Sequence, residues 1–506
     1  MAFSRTENTV RNTMAAYMLQ VVSMIARFIS QTIFISLLGK QYAGVAGVFS
    51  DILQMLAASE LGIGAAVLFS LYRPIKNEDH SKVAAYMLLL KKVYHIIAIA
   101  IMGGGIILLP FLRYIVKDVP DIKENIYIVF LLFVAKTALS YLFHYRAVLF
   151  EAYQYKRVQS YINCTVTVVV IAIQTIVLYL TRQYYLFLLL DIIGVGLSNC
   201  ILAVIYSKQY PFIKKEKREL SKEEKSGVWK NVGNLSLYRI ATIALNATDS
   251  VIVSSMLGTE VVGALSGYRM LINYVSGFAG QFLHSALPSI GDAAVSETKE
   301  YNFLLFKRLS FCLYAITCVT ATCLFALLSP FVQWWLGADY VAPIGVVCTL
   351  VMNYYTSMMM IVNTSFRNVY GLFNEKPFSP LYMAILNISL SIALGKCWGL
   401  IGIFAATSIS RLLTLLWIDP WLLYKNIYRV PMRNYWKETL KELLLLTLSC
   451  TLTYLCVCCL PDGFVFLFIR LSIALTISCI TVWLAYRKSD EISYSIKKVK
   501  KLFKRS

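Results

Sequence analysis

The sequence has little charge and little histidine for its length. Only 15% of its 506 residues are charged and only four are His, whereas 58% are hydrophobic, and the mean hydropathy is +0.65. It contains no H-E-x-x-H pair, no Walker pattern and no nucleophile elbow. Soluble domains carry more charge than this. The sequence therefore excludes a soluble enzyme and offers no motif for catalysis or ATP hydrolysis.

The cysteine pattern does not favour a metal or redox site. Most of the twelve cysteines lie within apolar runs, where Cys behaves as a small hydrophobic residue. Cys456 and Cys459 have a C-x-x-C spacing, but the sequence has no second pair and no His close to them. We expect no metal and no bound cofactor.

Long apolar runs recur from one end of the chain to the other. A helix of about 20 apolar residues crosses a hydrocarbon core of roughly 30 Å, and continuous runs exclude the alternation that a membrane barrel requires. We predict an all-α polytopic membrane protein with about 14 transmembrane helices. The spans lie near residues 13–38, 42–70, 93–110, 125–149, 161–180, 185–206, 231–257, 260–290, 307–328, 341–366, 378–395, 399–424, 437–459 and 463–486.

The net charge of +21 is distributed unevenly between the loops. Most of the 48 Lys and Arg residues lie in segments that face the same side as the N-terminus. By the positive-inside tendency we expect both termini in the cytoplasm. The excess of positive charge also fits contact with anionic lipid headgroups. No water-exposed segment interleaves basic and aromatic residues, so we do not expect nucleic-acid binding.

Two similar segments indicate an internal repeat. "LLGKQYAG" near the first turn matches "MLGTEVVG" near the seventh span, and "LLPF" matches "LSPF" at the end of the third span of each half. A repeat of six spans is even, so both copies have the same orientation, with a site expected between them. The paired positions are Gly39 with Gly258, Gly44 with Gly263, and Pro110 with Pro330.

The longest polar insertion divides the chain into two halves. We predict an N-lobe of six spans, a basic cytoplasmic linker, a C-lobe of six spans, two additional C-terminal spans and a basic cytoplasmic tail that suits a helix lying on anionic lipid. These segments are residues 1–206, 207–230, 231–424, 425–486 and 487–506.

Five cations lie well inside the predicted spans, together with the carboxylates of Asp51, Glu60, Asp191, Asp249 and Asp419. A charge at the centre of a membrane helix costs at least about 2.5 kcal/mol, so such residues normally face a protein interior or a water-filled cavity. We predict a cationic substrate cavity. Its cations are Arg27, Lys136, Arg239, Arg269 and Arg411.

Amide side chains lie one or two helical turns from three of these cations, on the same helix faces. A surplus of guanidinium groups suits phosphate, because Arg is always charged and offers a planar fork of donors. We therefore expect an anionic substrate. The predicted polar lining is Gln20 and Gln31 beside Arg27, Asn246 beside Arg239, and Asn273 beside Arg269.

Acidic residues inside the spans have competing interpretations. Asp249 is a candidate site for Na⁺ or H⁺ coupling, but it could equally neutralise Arg239 or Arg269. Asp419 could form a structural pair with Arg411, two turns earlier. Glu60 could lie at the membrane interface.

Three segments resemble a known family. "ELGIGAAVLFSLYRPI" from Glu60, "LNATDSVIVSSMLGTEVVGALSGYRMLINYV" from Leu245 and "SALPSIGDAAVSETKE" from Ser285 are similar to the polysaccharide transport family. That family includes Wzx-type O-antigen and capsule repeat-unit flippases and belongs to the multidrug, oligosaccharidyl-lipid and polysaccharide exporter superfamily. The resemblance implies a MATE-like fold of two six-helix lobes.

The resemblance also implies a mechanism and a substrate class. An undecaprenyl-pyrophosphate-linked oligosaccharide would enter a cationic cavity by alternating access while its lipid tail stays in the bilayer of the bacterial cytoplasmic membrane. The family's cavity arginines correspond by span to Arg27, Arg239 and Arg269. A polysaccharide polymerase and a chain-length regulator are the implied protein partners.

Three alternatives stay open at this point. A lipid II flippase is similar enough that motifs alone do not separate it, and a multidrug or cation antiporter of the same superfamily would be expected to show uncompensated carboxylates. A membrane polymerase would be an enzyme with a large outward loop, whereas the longest outward loop here is near residues 111–125. We expect a transporter and no enzymatic activity.

Overall fold

The computed structural model is helical throughout the residues that it describes, which are 5–60, 62–116, 122–153, 155–216, 218–372, 375–490 and 492, and no β-strand occurs among them. The predicted all-α fold class is confirmed. The helices are α1 (Arg5–Leu38), α2 (Lys40–Leu56), α3 (Ile63–Lys76), α4 (His80–Leu108), α5 (Leu112–Ile115), α6 (Ile126–Ala152), α7 (Lys156–Thr181), α8 (Tyr184–Gln209), α9 (Phe212–Lys215), α10 (Lys222–Leu257), α11 (Thr259–Ala264), α12 (Ser266–Ser296), α13 (Lys299–Leu336), α14 (Ile344–Val369), α15 (Ser379–Leu413), α16 (Leu415–Leu422), α17 (Arg433–Val457) and α18 (Phe464–Tyr486).

The helices are long and apolar enough for a multi-pass membrane protein. Ten stretches of the described residues could each cross a bilayer by length and composition, and the segment Ser379–Tyr428 counts as one of them although it contains more than one helix. The chain is therefore a polytopic membrane protein. The number of fourteen spans stays a prediction.

Helix α15 is a hairpin of two antiparallel arms. Gly399 interrupts it with φ 57° and ψ −133°, a conformation that favours glycine. Across the two arms, Asn387 Nδ2 donates to Thr407 Oγ1 at 3.0 Å, and Ser391 Oγ donates to the Ile403 carbonyl at 3.5 Å. The first arm corresponds to the span predicted at 378–395, whereas the span predicted at 399–424 contains both the second arm and α16.

The second predicted span is a broken helix. Helix α2 ends at Leu56, a single 3₁₀ turn follows over Ala57–Glu60, and α3 begins after Gly62, whose φ of 76° is left-handed. Backbone groups at such a break lose their intrahelical partners, which is tolerated at membrane depth only inside protein or along a cavity.

The chain forms two compact units, residues Met1–Gly263 and Ala264–Ser506. The core of the first unit contains Tyr94, Leu149 and Phe150, and a core cluster in the second contains Phe306 and Phe366. Helix α10, the seventh predicted span, belongs to the first unit, so this division does not coincide with the predicted lobes. The lobe boundaries at 206 and 231 stay a prediction.

Part of the predicted linker is helical and tied to α4. Helix α10 begins at Lys222 with a capping box, in which Ser221 Oγ accepts from the Glu224 amide and the Glu224 carboxylate accepts from the Ser221 amide. Glu224 also pairs with Lys82 at 2.6 Å, and Arg218 lies 3.8 Å from Asp79, the N-cap of α4. The tail after residue 492 lies outside the described residues.

The two predicted repeat copies share a local backbone conformation. Gly39 precedes α2 with φ 85° and ψ −179°, and Gly258 precedes α11 with φ 94° and ψ 159°. The second anchor differs, because Pro110 lies in a 3₁₀ turn whereas Pro330 lies inside the continuous helix α13.

Candidate substrate site

Helix α1 has two exposed faces of opposite chemistry. Ile25 and Ile29 are 55% and 49% exposed, and Arg27, two positions from each, is also exposed. Two positions along a helix are about 200° apart, so Arg27 lies opposite the apolar face. An apolar face suits lipid, whereas an exposed Arg inside a membrane span suits a water-filled cavity.

The predicted amides lie on the Arg27 face. Gln20 and Gln31 are half-buried and lie seven and four positions from Arg27, which places them on the same side of α1. Arg27 has no hydrogen bond or ion pair to any of the residues that the structure describes. Its guanidinium is available to a ligand.

Helix α1 is attached along another side to α7. Ser23 Oγ donates to Cys164 Sγ at 3.4 Å, and that thiol donates to the Leu19 carbonyl at 3.6 Å. These contacts fix the rotation of α1. The face that contains Arg27 is therefore set by packing elsewhere on the helix.

Lys136 is paired with a carboxylate. Its ammonium contacts Asp191 of α8 in an ion pair, and the two side chains are 35% and 31% exposed. The pair neutralises Lys136, so this residue adds little net positive charge to a cavity. Its predicted role in binding substrate stays untested.

Arg411 is buried in a polar cluster at the end of α15. Its Nη1 donates to the Asn353 carbonyl at 2.8 Å and to Thr356 Oγ1 at 3.2 Å. Only 6% of Arg411 is exposed. Asn353 in turn accepts from Ser408 Oγ at 2.5 Å. This geometry favours a structural role for Arg411 between α14 and α15.

Asp419 pairs with Arg367 and not with Arg411. Arg367 Nη1 lies 2.7 Å from Asp419 Oδ1, and Thr364 Oγ1 donates to Asp419 Oδ2 at 2.8 Å. The prediction of an Arg411–Asp419 pair is therefore wrong. No local pattern pointed to Arg367, because its partner is on a different helix.

The remaining predicted residues lie on α10 and α12. Asp249 and Arg269 are half-buried, and Asn273 is exposed one turn after Arg269. Arg239 and Asn246 are on α10, but their side chains fall outside the described residues. Lys136 is therefore paired with a carboxylate and Arg411 is buried. Arg27, in contrast, is exposed and has the geometry of a ligand-binding residue.

A buried carboxylate at the break between α2 and α3 was not predicted as a site. Glu60 is 7% exposed and accepts a hydrogen bond of 2.8 Å from Tyr94 Oη. An added Cβ on Gly64 would lie 2.7 Å from that phenol oxygen, so glycine there makes room for the pair. The interfacial position of Glu60 stays a prediction, and the glycines of "ELGIG" were the available signal for the buried pair.

These features define a polytopic membrane protein. No protein-family model matches the chain, and no curated protein sequence matches it. Several solved structures share the fold. One is the lipid II flippase MurJ in an inward closed conformation, with a TM-score of 0.66, 15% identity, and coverage of 94% of this chain and 99% of that chain.

Two multidrug transporters share the fold as well. An inward-facing multidrug resistance MATE family transporter of the MOP superfamily has a TM-score of 0.60 and 12% identity, covering 80% of this chain and 97% of that chain. The MATE multidrug transporter DinF-BH has a TM-score of 0.53 and 16% identity, covering 82% of this chain and 97% of that chain. At these identities the likeness establishes a MATE-like fold, and the predicted fold class is confirmed.

Proposed function

We propose that this protein is a flippase for undecaprenyl-pyrophosphate-linked oligosaccharide repeat units, acting by alternating access in a bacterial cytoplasmic membrane with both termini in the cytoplasm. The observation that carries the proposal is the exposed face of α1 that presents Arg27 opposite an apolar face. A helix with these two faces can border a polar head and an apolar tail at once.

The charge of Arg27 selects the head group. A guanidinium forms paired hydrogen bonds with phosphate oxygens and stays charged at every physiological pH. An organic cation would be repelled by the same side chain. The proposal therefore favours a pyrophosphate-linked substrate over the cationic cargo of a drug exporter. The predicted cavity residues Arg239, Arg269 and Asn273 belong to the same proposal.

The energy source is part of the proposal. The sequence has no ATP-binding pattern, so transport would be driven by an ion gradient, the membrane potential or consumption of the cargo. Asp249 is the proposed Na⁺ or H⁺ site. The Asp249→Asn variant should transport at a rate that no longer depends on the Na⁺ or H⁺ gradient. If transport by the wild-type protein depends on neither gradient, Asp249 is not a coupling site.

A second candidate is flipping of lipid II. The MurJ structure covers nearly the whole chain, and a pyrophosphate head attached to a polyprenyl tail would meet Arg27 in the same way. The glycan, not the phosphate, would distinguish the two substrates.

The experiment is transport by the purified protein in lipid vesicles. A fluorescent undecaprenyl-pyrophosphate oligosaccharide, lipid II and a cationic dye are compared in parallel, with empty vesicles as the control. Preferential flipping of the oligosaccharide supports the proposal. Preferential flipping of lipid II supports the second candidate, and export of the dye alone overturns both.

A further inference from the structure

Two lysines from different segments of the second compact unit converge on one tryptophan. Lys376 Nζ lies 5.4 Å and Lys425 Nζ lies 4.7 Å from the centroid of the Trp421 ring. Lys376 belongs to the loop between α14 and α15, whereas Lys425 follows α16. We call these three residues the lysine–tryptophan cluster. Its two positive charges come together only when the chain folds, so the sequence alone did not show it.

Buried polar contacts fix the backbone positions of the cluster. The carbonyl of Lys376 accepts hydrogen bonds from Arg367 Nη2 at 3.2 Å, from Ser379 Oγ at 2.9 Å and from the Ser379 amide at 3.2 Å. The same Arg367 pairs with Asp419, which lies two positions before Trp421 on α16. One buried guanidinium thus connects the loop that contains Lys376 to the helix that contains Trp421. The convergence of the two lysines is therefore built into the fold.

The positive charge of the cluster is not compensated by a neighbouring carboxylate. Both lysines are exposed, and neither ammonium group forms an ion pair or a hydrogen bond with any residue that the structure describes. Glu375, which the structure also describes, is exposed and pairs with neither of them. Each ammonium group is attracted to the negative face of the indole ring, but the two ammonium groups repel each other. An anion bound by both would remove this repulsion.

The surroundings of the cluster favour a lipid over a free anion. Trp417 lies one turn before Trp421 on α16, so the two rings share a helix face. Trp417 is 39% exposed, and its Nε1 donates to the Leu413 carbonyl, which leaves the ring surface for apolar contact. Lys425 follows in a π-helical turn, Leu423–Tyr428, a feature that is often found at functional sites. This face changes from apolar to cationic, as a phospholipid changes from acyl chain to phosphate.

The cluster lies at the end of the spans that the charge distribution predicts to face the cytoplasm. Basic pockets between membrane helices on that side bind acidic lipid headgroups. We propose that the lysine–tryptophan cluster binds the phosphodiester of an anionic phospholipid of the cytoplasmic leaflet, with both ammonium groups at the phosphate and Trp417 against an acyl chain. The proposal holds whether or not the protein flips a lipid-linked oligosaccharide.

The test is lipid binding by the full-length protein. Purified protein is stripped of lipid in detergent, and native mass spectrometry counts the bound molecules as phosphatidylglycerol or zwitterionic phosphatidylcholine is added. We expect saturable binding of phosphatidylglycerol in preference to phosphatidylcholine. The double variant Lys376→Gln with Lys425→Gln should bind phosphatidylglycerol at least about tenfold more weakly, because two charge-assisted contacts are lost. Equal affinity of the wild-type protein for the two lipids would overturn the proposal.

Matched variants separate this site from a general attraction between the basic surface and acidic lipid. Lys299→Gln with Lys437→Gln removes the same charge from two exposed lysines of the same unit, and it should bind phosphatidylglycerol as the wild-type protein does. Lys376→Arg with Lys425→Arg keeps both charges and should also retain binding. Equal weakening by the two glutamine pairs would contradict a specific site.

Thermal unfolding identifies the source of the phosphate. Phosphatidylglycerol should raise the unfolding temperature of the wild-type protein, because the bound lipid connects the loop of Lys376 to α16, and it should not do so for Lys376→Gln with Lys425→Gln. Inorganic phosphate at the same concentration should have no effect. Equal stabilisation by inorganic phosphate would overturn the assignment to a lipid. Stabilisation by the lipid-linked oligosaccharide but not by phosphatidylglycerol would assign the cluster to the transported substrate instead.

Discussion

Arg367 and Asp419 form an ion pair that is closed to solvent within the second compact unit. Their side chains are 3% and 0% exposed, and Arg367 Nη2 also donates to the Lys376 carbonyl at 3.2 Å. The pair connects α14 to α16. Removal of one member of a buried ion pair lowers the free energy of unfolding far more than replacement of both members by apolar residues. This arrangement identifies Arg367 as a structural cation, in contrast to the exposed Arg27.

Removal of one member of this pair should destabilise the protein. We expect Asp419→Asn to lower the free energy of unfolding by about 3–5 kcal/mol, the typical cost of an unpaired buried charge. Thermal unfolding in detergent and the amount of protein in the membrane measure the effect. The double variant Arg367→Met with Asp419→Leu should recover much of the loss. A stable but inactive Asp419→Asn protein would show a functional role instead.

Substitution of Arg27 should reduce transport without lowering the stability of the protein. We expect Arg27→Ala to reduce transport at least about tenfold, because a hydrogen bond to a charged group contributes about 1.5–3 kcal/mol. Protein level should stay normal, since Arg27 has no polar partner among the described residues. Lys should restore transport only in part, because it lacks the planar fork.

The matched control for this variant is on the same helix. Ile29→Ala truncates an exposed side chain on the opposite face of α1 and should leave transport near the wild-type rate. If Arg27→Ala reduces the protein level as well as transport, the role of Arg27 is structural.

The pair of Lys136 with Asp191 predicts a charge-dependent rescue. Each single neutralisation leaves an unpaired charge within a membrane span, so both Lys136→Met and Asp191→Asn should lower the protein level. Reversal of the pair, Lys136→Asp with Asp191→Lys, should restore it. If the reversed pair restores both the protein level and transport, the role of the pair is structural. Rescue of level without transport would assign substrate binding to the cation at position 136.

The contact between Glu224 and Lys82 predicts a pH dependence outside the membrane. The hydrogen bond from Lys82 lowers the pKa of Glu224 below its ordinary value of 4.5. A lowered pKa means that the carboxylate stabilises the folded state above the ordinary pKa and loses this effect as pH falls through the folded value. We expect thermal stability to decrease below about pH 4.5 in part through this residue.

Glu224→Gln is the variant that tests this dependence. It should be less stable than wild type at neutral pH and should show a weaker decrease on acidification. The measurement is thermal unfolding across that pH range. Parallel curves for the two proteins would contradict the assignment to Glu224.

The helical fold was predictable because bilayer length and hydropathy constrain each span separately. The repeat was also visible in sequence, because glycines with unusual backbone angles, such as Gly39 and Gly258, leave a recognisable spacing. The partners of cations were not predictable. Lys136 meets Asp191, and Arg367 meets Asp419, only after helices distant in sequence pack together.

The buried Glu60 shows a related limit. It lies inside the second predicted span, 42–70, and the 3₁₀ turn after α2 buries it against Tyr94. A helix break at membrane depth depends on tertiary contacts that satisfy its backbone. Composition does not report those contacts, so the site residues were less predictable than the helices.

The most direct test of the proposed function is the sidedness of lipid-linked sugars in a strain that lacks the protein. A membrane-impermeant glycan label is applied to spheroplasts, and undecaprenyl-linked sugars are extracted and analysed. We expect complete repeat units to accumulate on the cytoplasmic face, where the label does not reach them. Expression of the wild-type protein should remove this accumulation, whereas expression of the Arg27→Ala variant should not. Outward-facing unpolymerised units, or lipid-linked sugars unchanged from wild type, would contradict a flippase for this substrate.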